Sequence, residues 1–557
     1  MRPSSPEPPE PRPALPGSRP ERQPVSSWAS LLALAPIAAL GAILRLRGLS
    51  DQLLFGDELH AVRAAIAMRP GTILRTFGVE DYSLPLTALA RLLADHGLPM
   101  SEPSLRAPSV VAGVLLLIAL PLLLARFLEP RATLVFAGLC AVSPWLVLYA
   151  RIARPYALAL LFAHASLLLF ARGWERNSRP GLYAWALGAA LTVWVLPVFA
   201  PLVAAPLLLA PFAGDGSLRA RVRAVVALAL PALVFAAGVG LLVLRALPSL
   251  AFVWLAKTSR DEIPLAAWRG AAELLAGLGA GWPAAALGAL AGGGWLLAAR
   301  RHGRLAWFLC GSAALQAVAI AWLRPAGAGA TDILARYLLP ALPVALLGAA
   351  LGIDALLPRA RRPGLEGVVV GALAAAILFA GGPLPAALAR PATFLYHQLR
   401  FTAPPAPAAL PPAYLCPVAA RAATLVEAPF PARVFTTEEL YARARLHRRR
   451  VVLGTDEEIT QPRLTALRTL VQATPEALLG SDGDALILHL RPDLDEARNA
   501  AARPRLRRML DQSRAAAAAL APLLTRRWGE PDCADARHLV WDLGRVRRGA
   551  PVAAQDQ

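Results

Sequence analysis

The chain predicts a polytopic α-helical membrane protein that ends in a small extracytoplasmic α/β domain. Three observations carry this reading. Of the 557 residues, 56% are hydrophobic and only 17% charged. An ordinary soluble domain has about 45–50% apolar and about 25% charged residues. Long apolar runs recur from residue 28 to about 382, separated by short arginine-rich breaks. After that the chain turns polar, and short apolar stretches alternate with helical patterns.

The same composition excludes other classes. A disordered chain would be poor in apolar residues. Four cysteines in 557 residues are too few for a disulfide scaffold. The formal net charge of +20 would suit a soluble nucleic-acid binder only if gathered on one folded face. Here it lies largely in the breaks. Of the 57 basic residues only Lys257 is a lysine. The heavy use of Ala, Arg and Pro points to a GC-rich bacterial genome, and so to a bacterial cytoplasmic (inner) membrane.

Residues 1–27 hold nine prolines and no apolar periodicity, and read as a disordered cytoplasmic tail. The run from Trp28 to about Leu46 is long enough to span a bilayer, for which about 20 residues suffice. It starts too late for a signal peptide, so it reads as an uncleaved first helix. Further runs lie near 108–126, 132–150, 156–172, 182–213, 224–245, 282–299, 304–323, 334–353 and 364–382. Pro197, Pro201 and Pro206 break the 182–213 run, which predicts a tight hairpin of two short helices. The total is about 11 spans.

Arginines set the orientation. Arg172/Arg176/Arg179, Arg219/Arg221/Arg223, Arg300/Arg301/Arg304 and Arg359/Arg361/Arg362 fall on alternate breaks. Positive-inside places them in the cytoplasm. The outer face then receives 47–107, 150–155, 246–281, 324–333 and everything after about 383. The spans 28–382 form one membrane domain, and 383–412 is a Pro/Ala-rich linker. Residues 413–557 form an extracytoplasmic domain of roughly 140 residues, within the usual size. Its predicted strands are Val451–Leu453, Ala485–Leu490 and Leu539–Leu543, with helical patterns over Gln461–Gln472 and Leu494–Leu524.

The first outer loop carries two acidic pairs, with Asp57 and Asp81 24 positions apart: Asp57-Glu58 in Phe55-Gly56-Asp57-Glu58-Leu59-His60 and Glu80-Asp81 before Tyr82-Ser83-Leu84-Pro85-Leu86. Carboxylates partly shielded at a membrane edge serve as bases or hold a metal. The plain alternative is that outer loops are polar. Four outward arginines break the charge rule: Arg106 before the second span, Arg151 and Arg154 after the third, and Arg336 in Leu334-Ala335-Arg336-Tyr337-Leu338. Guanidinium pairs with phosphate through two parallel hydrogen bonds, whereas the alternative is interfacial snorkelling. Together these residues equip a reaction whose leaving group is a lipid phosphate: an acid accepts a proton, and arginines stabilise the departing charge.

These motifs, in this order, resemble the GT-C glycosyltransferases that use polyprenyl-phosphate sugars. The nearest likeness is to glycosyltransferase family 39 and its bacterial relatives of the protein O-mannosyltransferase and aminoarabinose-transferase type. The matching pieces are Asp57-Glu58, Asp81 with Pro85-Leu86, Arg106-x-Pro108-Ser109, Ser143-Pro144 through Arg154-Pro155-Tyr156, and Arg336-Tyr337-Leu338-Leu339-Pro340. The resemblance implies that Asp57 is the general base and Glu58 positions acceptor or donor sugar. Asp81 matches the second acidic position. The four arginines would hold the donor phosphate, with His60, Glu80, Tyr156 and Tyr337 touching substrate. It implies a single displacement with inversion, the lipid phosphate leaving, and it leaves a divalent metal open.

Two departures bear on substrate. Relatives tend to read Asp-x-x-Pro-Pro-Leu with an aromatic after it, where Leu84 and Thr87 stand here. His60 replaces an aromatic or small residue; it tunes Asp57, touches substrate, or is an ordinary interfacial histidine. His164 reads as a satisfied bundle histidine, and Cys140 and Cys310 as small apolar packers. Val426–Phe430 and Arg445–Val451 resemble segments of the family's outward domains. The Arg448–Arg450 run reads as a solvated face. Cys416 and Cys533 lie at opposite ends of the outer domain, where an oxidising compartment would allow a disulfide.

The expected partners are a polyprenyl-phosphate sugar, a lipid, glycan or protein acceptor, and membrane lipids, with no nucleic acid. Two other classes remain as alternatives. A transporter or flippase of lipid-linked saccharides would put charge at mid-membrane, where these spans have almost none. A membrane-anchored binding protein would act through 383–557.

Overall fold

The computed structural model describes residues 27–49, 58, 68–76, 83–96, 102–213, 217–249, 262–278, 281–325, 327–358, 363–389, 394–396, 399–400, 410–430, 450–455, 467–470, 475–480, 483–490 and 504–549. The proline-rich tail before Ser27 lies outside them.

The helical part runs through α1 (Ser27–Leu46), α2 (Leu84–Asp95), α3 (Glu102–Leu124), α4 (Pro130–Val142), α5 (Pro144–Ala150), α6 (Tyr156–Glu175) and α7 (Arg179–Val195). It continues with α8 (Ala200–Leu209), α9 (Leu218–Val243), α10 (Leu265–Ala276), α11 (Trp282–Leu323), α12 (Thr331–Leu338), α13 (Leu342–Leu356) and α14 (Pro363–Gly381). Among the described residues six helices are long and apolar enough to cross a membrane, or seven if the bent pair α4–α5 is one span. Their outer faces carry exposed leucines such as Leu115, Leu241, Leu296 and Leu373, as a lipid-facing surface requires.

This measure gives fewer spans than the apolar runs suggest, for identifiable reasons. The apolar parts of α1 and of the 197–212 segment are shorter than a full span. The two runs 282–299 and 304–323 are joined in α11. Its 42 residues would reach about 63 Å, roughly twice the hydrocarbon core. His302 has non-helical backbone, φ −129 and ψ 42, and divides α11 at the Arg300–Arg304 break. In the proline-broken run, Leu196 is extended at φ −153 and ψ 94. The chain then folds back, and the Trp185 indole donates to the Val203 carbonyl at 3.2 Å.

Glycines set the closest helix approaches. Gly367 and Gly371, four apart on α14, meet α4. A Cβ at Gly371 would stand 2.9 Å from the Leu134 carbonyl oxygen. Gly348 and Gly352 repeat the spacing on α13 against α11, where a Cβ at Gly352 would lie 2.5 Å from the Leu290 oxygen. Small residues four apart let helix backbones meet where no hydrophobic effect drives them together. At one end of the bundle Arg131 donates to the carbonyls of Pro358 at 2.7 Å and Asp354 at 2.8 Å. The breaks after α3 and after α13 therefore share one end of the bundle.

The C-terminal part is a six-stranded sheet. Its strands are β1 (Thr424–Phe430), β2 (Arg450–Thr455), β3 (Leu467–Leu470), β4 (Ala485–His489), β5 (Cys533–Ala534) and β6 (His538–Asp542), in the order β3-β2-β1-β4-β6-β5. β1 through β4 pair in parallel. β6 runs antiparallel to both β4 and β5. The two-residue period of the strands divides the sheet into two faces. Val426, Leu486, Leu488 and Trp541 pack on helix α15 (Pro504–Trp528) through Leu524 and Trp528. Leu425, Ala485, Ile487 and Val540 pack on the other face with Tyr414 and Ala419. Leu467–Leu470, inside a segment whose pattern reads as helix, pairs instead with β2. A neighbouring parallel edge outweighs local helical propensity there.

Candidate active site

Local chemistry shapes the site first. Pro144 lacks an N–H, so the α4 helix cannot continue through it. Ser143 takes φ −59 and ψ 121, and α5 leaves at 60° to α4. The Trp145 indole fixes the new direction by donating to the Leu274 carbonyl of α10 at 2.7 Å. Pro144 also packs on Gly277, where a Cβ would come within 2.8 Å of its ring. Gly277 has φ +68, a left-handed conformation that glycine adopts without a Cβ penalty.

The turn that follows, Arg151 to Tyr156, is held from four directions. The Arg151 guanidinium donates through Nη1 to the carbonyls of Arg45 at 2.9 Å and Leu44 at 3.2 Å, the last turn of α1. The Ala153 N–H donates to Glu58 Oε1 at 2.6 Å. The Ser109 hydroxyl of α3 donates to the Arg154 carbonyl at 2.9 Å. The Tyr156 hydroxyl accepts from Arg336 of α12 at 3.3 Å, and its ring meets Tyr149 edge-on at 4.5 Å.

Glu58 and Arg106 form the centre. Arg106 Nε donates to Glu58 Oε1 at 2.8 Å and Nη2 to Oε2 at 2.7 Å, a bidentate pair. Arg106 Nη1 also donates to the Leu49 carbonyl at 3.0 Å. Both side chains have zero exposure, as do those of Arg45 and Arg151. The Arg45, Arg106 and Arg151 guanidiniums are thus all fully buried, and Arg106 is paired to Glu58. Arg154 is 4% exposed. Low-dielectric surroundings strengthen the interactions of such charges.

The structure brings Glu58, Arg106, Arg151, Arg154, Tyr156 and Arg336 into one neighbourhood, and Tyr337 lies beside Arg336 on α12. It gives Glu58, Arg106 and Arg151 protein partners of their own. Glu58, expected to position sugar, faces Arg106 and the Ala153 N–H. Arg106 and Arg151, expected on the donor phosphate, bond to Glu58 and to helix-end carbonyls. A buried charge needs such partners. Asp57, His60, Glu80 and Asp81 lie outside the described residues. Among the described residues no group of three His, Cys, Asp or Glu is placed to hold a metal ion.

Sequence reasoning missed Arg45. It sits in the last turn of α1, its Nη1 donating to the Gly41 and Ala141 carbonyls and Nη2 to Cys140. The available signal was a further arginine at the outward end of a span, with a glycine four residues before it. His164 is buried in α6 between the Leu160 and Pro340 carbonyls, 2.9 and 3.0 Å from its ring nitrogens. Cys416 and Cys533 are bonded, with their Cα atoms 6.4 Å apart.

No family model matches the chain, and no curated protein matches it in sequence. Solved structures do. The chain is similar to ArnT from Cupriavidus metallidurans in the apo state, at TM-score 0.45 and 14% identity over 67% of each chain. The same protein bound to undecaprenyl phosphate matches at TM-score 0.43 and 15% identity over 68% of each chain. An Archaeoglobus fulgidus oligosaccharyltransferase tethered to an acceptor peptide matches at TM-score 0.41 and 16% identity. That match covers 64% of this chain and 56%, little more than half, of the archaeal one. The likeness is one of chain course over part of each molecule, so the chemistry must come from this chain's own residues.

Proposed function

We propose that the protein is an inverting glycosyltransferase of the family 39 type, working at the outer face of a bacterial cytoplasmic membrane. It moves a sugar from a polyprenyl-phosphate carrier to an acceptor on a lipid, glycan or protein. One observation carries the reading: an arginine-rich turn, held from four sides, where among the described residues the buried guanidiniums of Arg106, Arg151 and Arg154 stand with the single buried carboxylate of Glu58. Such a cluster favours an anion, and a lipid phosphate at a membrane edge has the matching charge and geometry.

In this reading Arg154 and Arg336 meet the donor phosphate, and Tyr156 and Tyr337 line the approach. Arg106 and Arg151 hold the frame and contribute field without touching the ligand. Asp57 takes the acceptor proton as its oxygen attacks the sugar's anomeric carbon. The bond to the phosphate oxygen breaks on the opposite face, and the arginines stabilise the charge that leaves with it. Asp81 stands as the second acidic group, and Glu58 is anchored by Arg106. The Cys416–Cys533 bond supports an outward C-terminal domain, since disulfides persist in oxidising compartments.

The test is transfer from a panel of radiolabelled polyprenyl-phosphate sugars into cell-envelope fractions, wild type beside Asp57→Asn. Label should move with wild type and fall by at least about 100-fold with the variant, the usual scale for a general base. Near-normal turnover by Asp57→Asn would remove that residue from the mechanism. No transfer from any donor, with the protein inserted and folded, would overturn the proposal.

A further inference from the structure

Arg45 has no place in the chemistry above, yet it is fully buried. It also lies in a slot that two glycines keep open. A Cβ at Gly41 would stand 3.2 Å from its Nη1, and one at Gly113 would stand 3.1 Å from its Nε. The other end of the slot explains why. In an unbroken helix the Cys140 carbonyl accepts from residue 144 and the Ala141 carbonyl from residue 145. Residue 144 is proline and has no N–H, and the turn at Ser143 carries Trp145 away. Arg45 Nη2 donates to Cys140 at 3.3 Å and Nη1 to Ala141 at 3.1 Å. The guanidinium takes the place of the missing backbone donors, and its charge complements the negative end of the α4 dipole.

The arrangement is reciprocal. Arg45, on α1, closes the C-terminal end of α4. Arg151, at the end of α5, closes the C-terminal end of α1 through the Leu44 and Arg45 carbonyls. The two arginines clamp α1 across the 60° bend between α4 and α5. Buried carbonyls left without donors are costly, so without Arg45 the bent geometry loses its support.

We infer that Arg45 is a positioning residue: it supplies the hydrogen bonds that Pro144 withholds, and so fixes the bend that aims the turn Arg151–Tyr156 at the candidate site. The bearing on catalysis rests on the glycosyltransferase reading, whereas the coupling between Arg45 and Pro144 does not.

The experiment uses the full-length protein in nanodiscs and four variants: Arg45→Met, Arg45→Lys, Pro144→Ala, and Arg45→Met with Pro144→Ala. Amide hydrogen exchange over 143–156 is read for each. Arg45→Met should speed exchange there by roughly 10-fold, the scale of a lost charged hydrogen bond. Arg45→Lys, which keeps a cation with donors in the slot, should fall between wild type and Arg45→Met. In the Pro144→Ala background the residue-144 N–H serves Cys140 again, so adding Arg45→Met should then change little. An effect of Arg45→Met that is equally large with and without Pro144→Ala would overturn the inference. Should Arg45→Met alone fail to insert while the double variant inserts, the coupling is supported by that rescue. Transfer measured alongside separates the two claims. With wild type active, Arg45→Met should raise the KM for the lipid donor more than that for the acceptor. An inactive wild type with intact exchange coupling would overturn the proposed function and leave the clamp standing.

Discussion

The helical part and the sheet both bury charged groups, and they satisfy them differently. Around α1 the buried arginines bond mostly to main-chain carbonyls at helix C-terminal ends: Leu44, Arg45, Leu49, Cys140 and Ala141. In the sheet the buried carboxylate of Glu427 accepts from side chains, the Tyr414 hydroxyl at 2.6 Å and His489 Nε2 at 2.9 Å. His489 stands opposite His538 in the β4–β6 register, and His538 Nδ1 lies 3.0 Å from Asp535. The difference follows from the backbone. Helix ends leave up to four carbonyls unused, and broken helices multiply those ends. A central strand such as β1, paired on both sides, has its backbone groups engaged by its neighbours, so a buried charge there must find side chains.

The sharpest way to break this comparison is the pair that joins both modes. Glu58→Ala removes the bidentate carboxylate partner of buried Arg106. It should destabilise the bundle by about 3–5 kcal/mol, the usual cost of removing one partner of a buried ion pair. Thermal unfolding in detergent checks it. Glu58→Gln with Arg106→Gln should cost less than the two single changes added together. A loss below about 1 kcal/mol for Glu58→Ala would equate the pair with a surface bridge, and its place at the centre of the site would then fall.

A smaller effect is expected in the sheet. Glu427→Gln keeps the shape but weakens the bonds from Tyr414 and His489. It should cost about 1–3 kcal/mol. Faster amide exchange confined to β1 and β4, with the helices unchanged, would show the two regions to be energetically separate. Exchange that rises in α1 and α4 as well would break the comparison.

The smallest effect concerns pH. The Asp535 carboxyl is held below its ordinary value of 3.8: burial pushes it up, but the Arg537 N–H and then His538, by charge and hydrogen bonding, pull it down further. A depressed folded value means the bonding is present above the unfolded value and is lost as pH falls through the folded one. The domain's melting temperature should therefore hold from neutral pH to about pH 4 and decline below that, with Asp535→Asn removing that part of the slope. An unchanged slope in the variant would assign the acid sensitivity to other carboxyls.

Much of the architecture was legible in the residue order. Apolar runs located the helices, because a lipid-facing surface admits little else, and Pro197 marked the fold-back after α7. Pro144 sits in the motif Ser143-Pro144, but the sequence showed a single run over 132–150 where the chain bends. The short strands at 451, 485 and 539 followed from buried apolar stretches. β1 and β3 did not, since parallel neighbours distant in sequence decide whether such segments pair. Arg106, Arg151, Arg154 and Arg336 were singled out by their places at breaks that the alternation of arginine-rich stretches assigns to the outer side, whereas Arg45 was missed.

What the sequence by itself determined is which residues could not be ordinary: arginines at the ends of apolar runs, acidic pairs beside one, a proline inside one. Those are facts of composition and position. Only the tertiary structure decided what each arginine does. Arg45 and Arg151 bond to carbonyls exposed about a hundred residues away in the chain, at 95–96 and 106–107 positions' separation. Whether a buried guanidinium closes a helix end or awaits a phosphate depends on which acceptor the packing brings within three ångströms, and no local pattern encodes that distance.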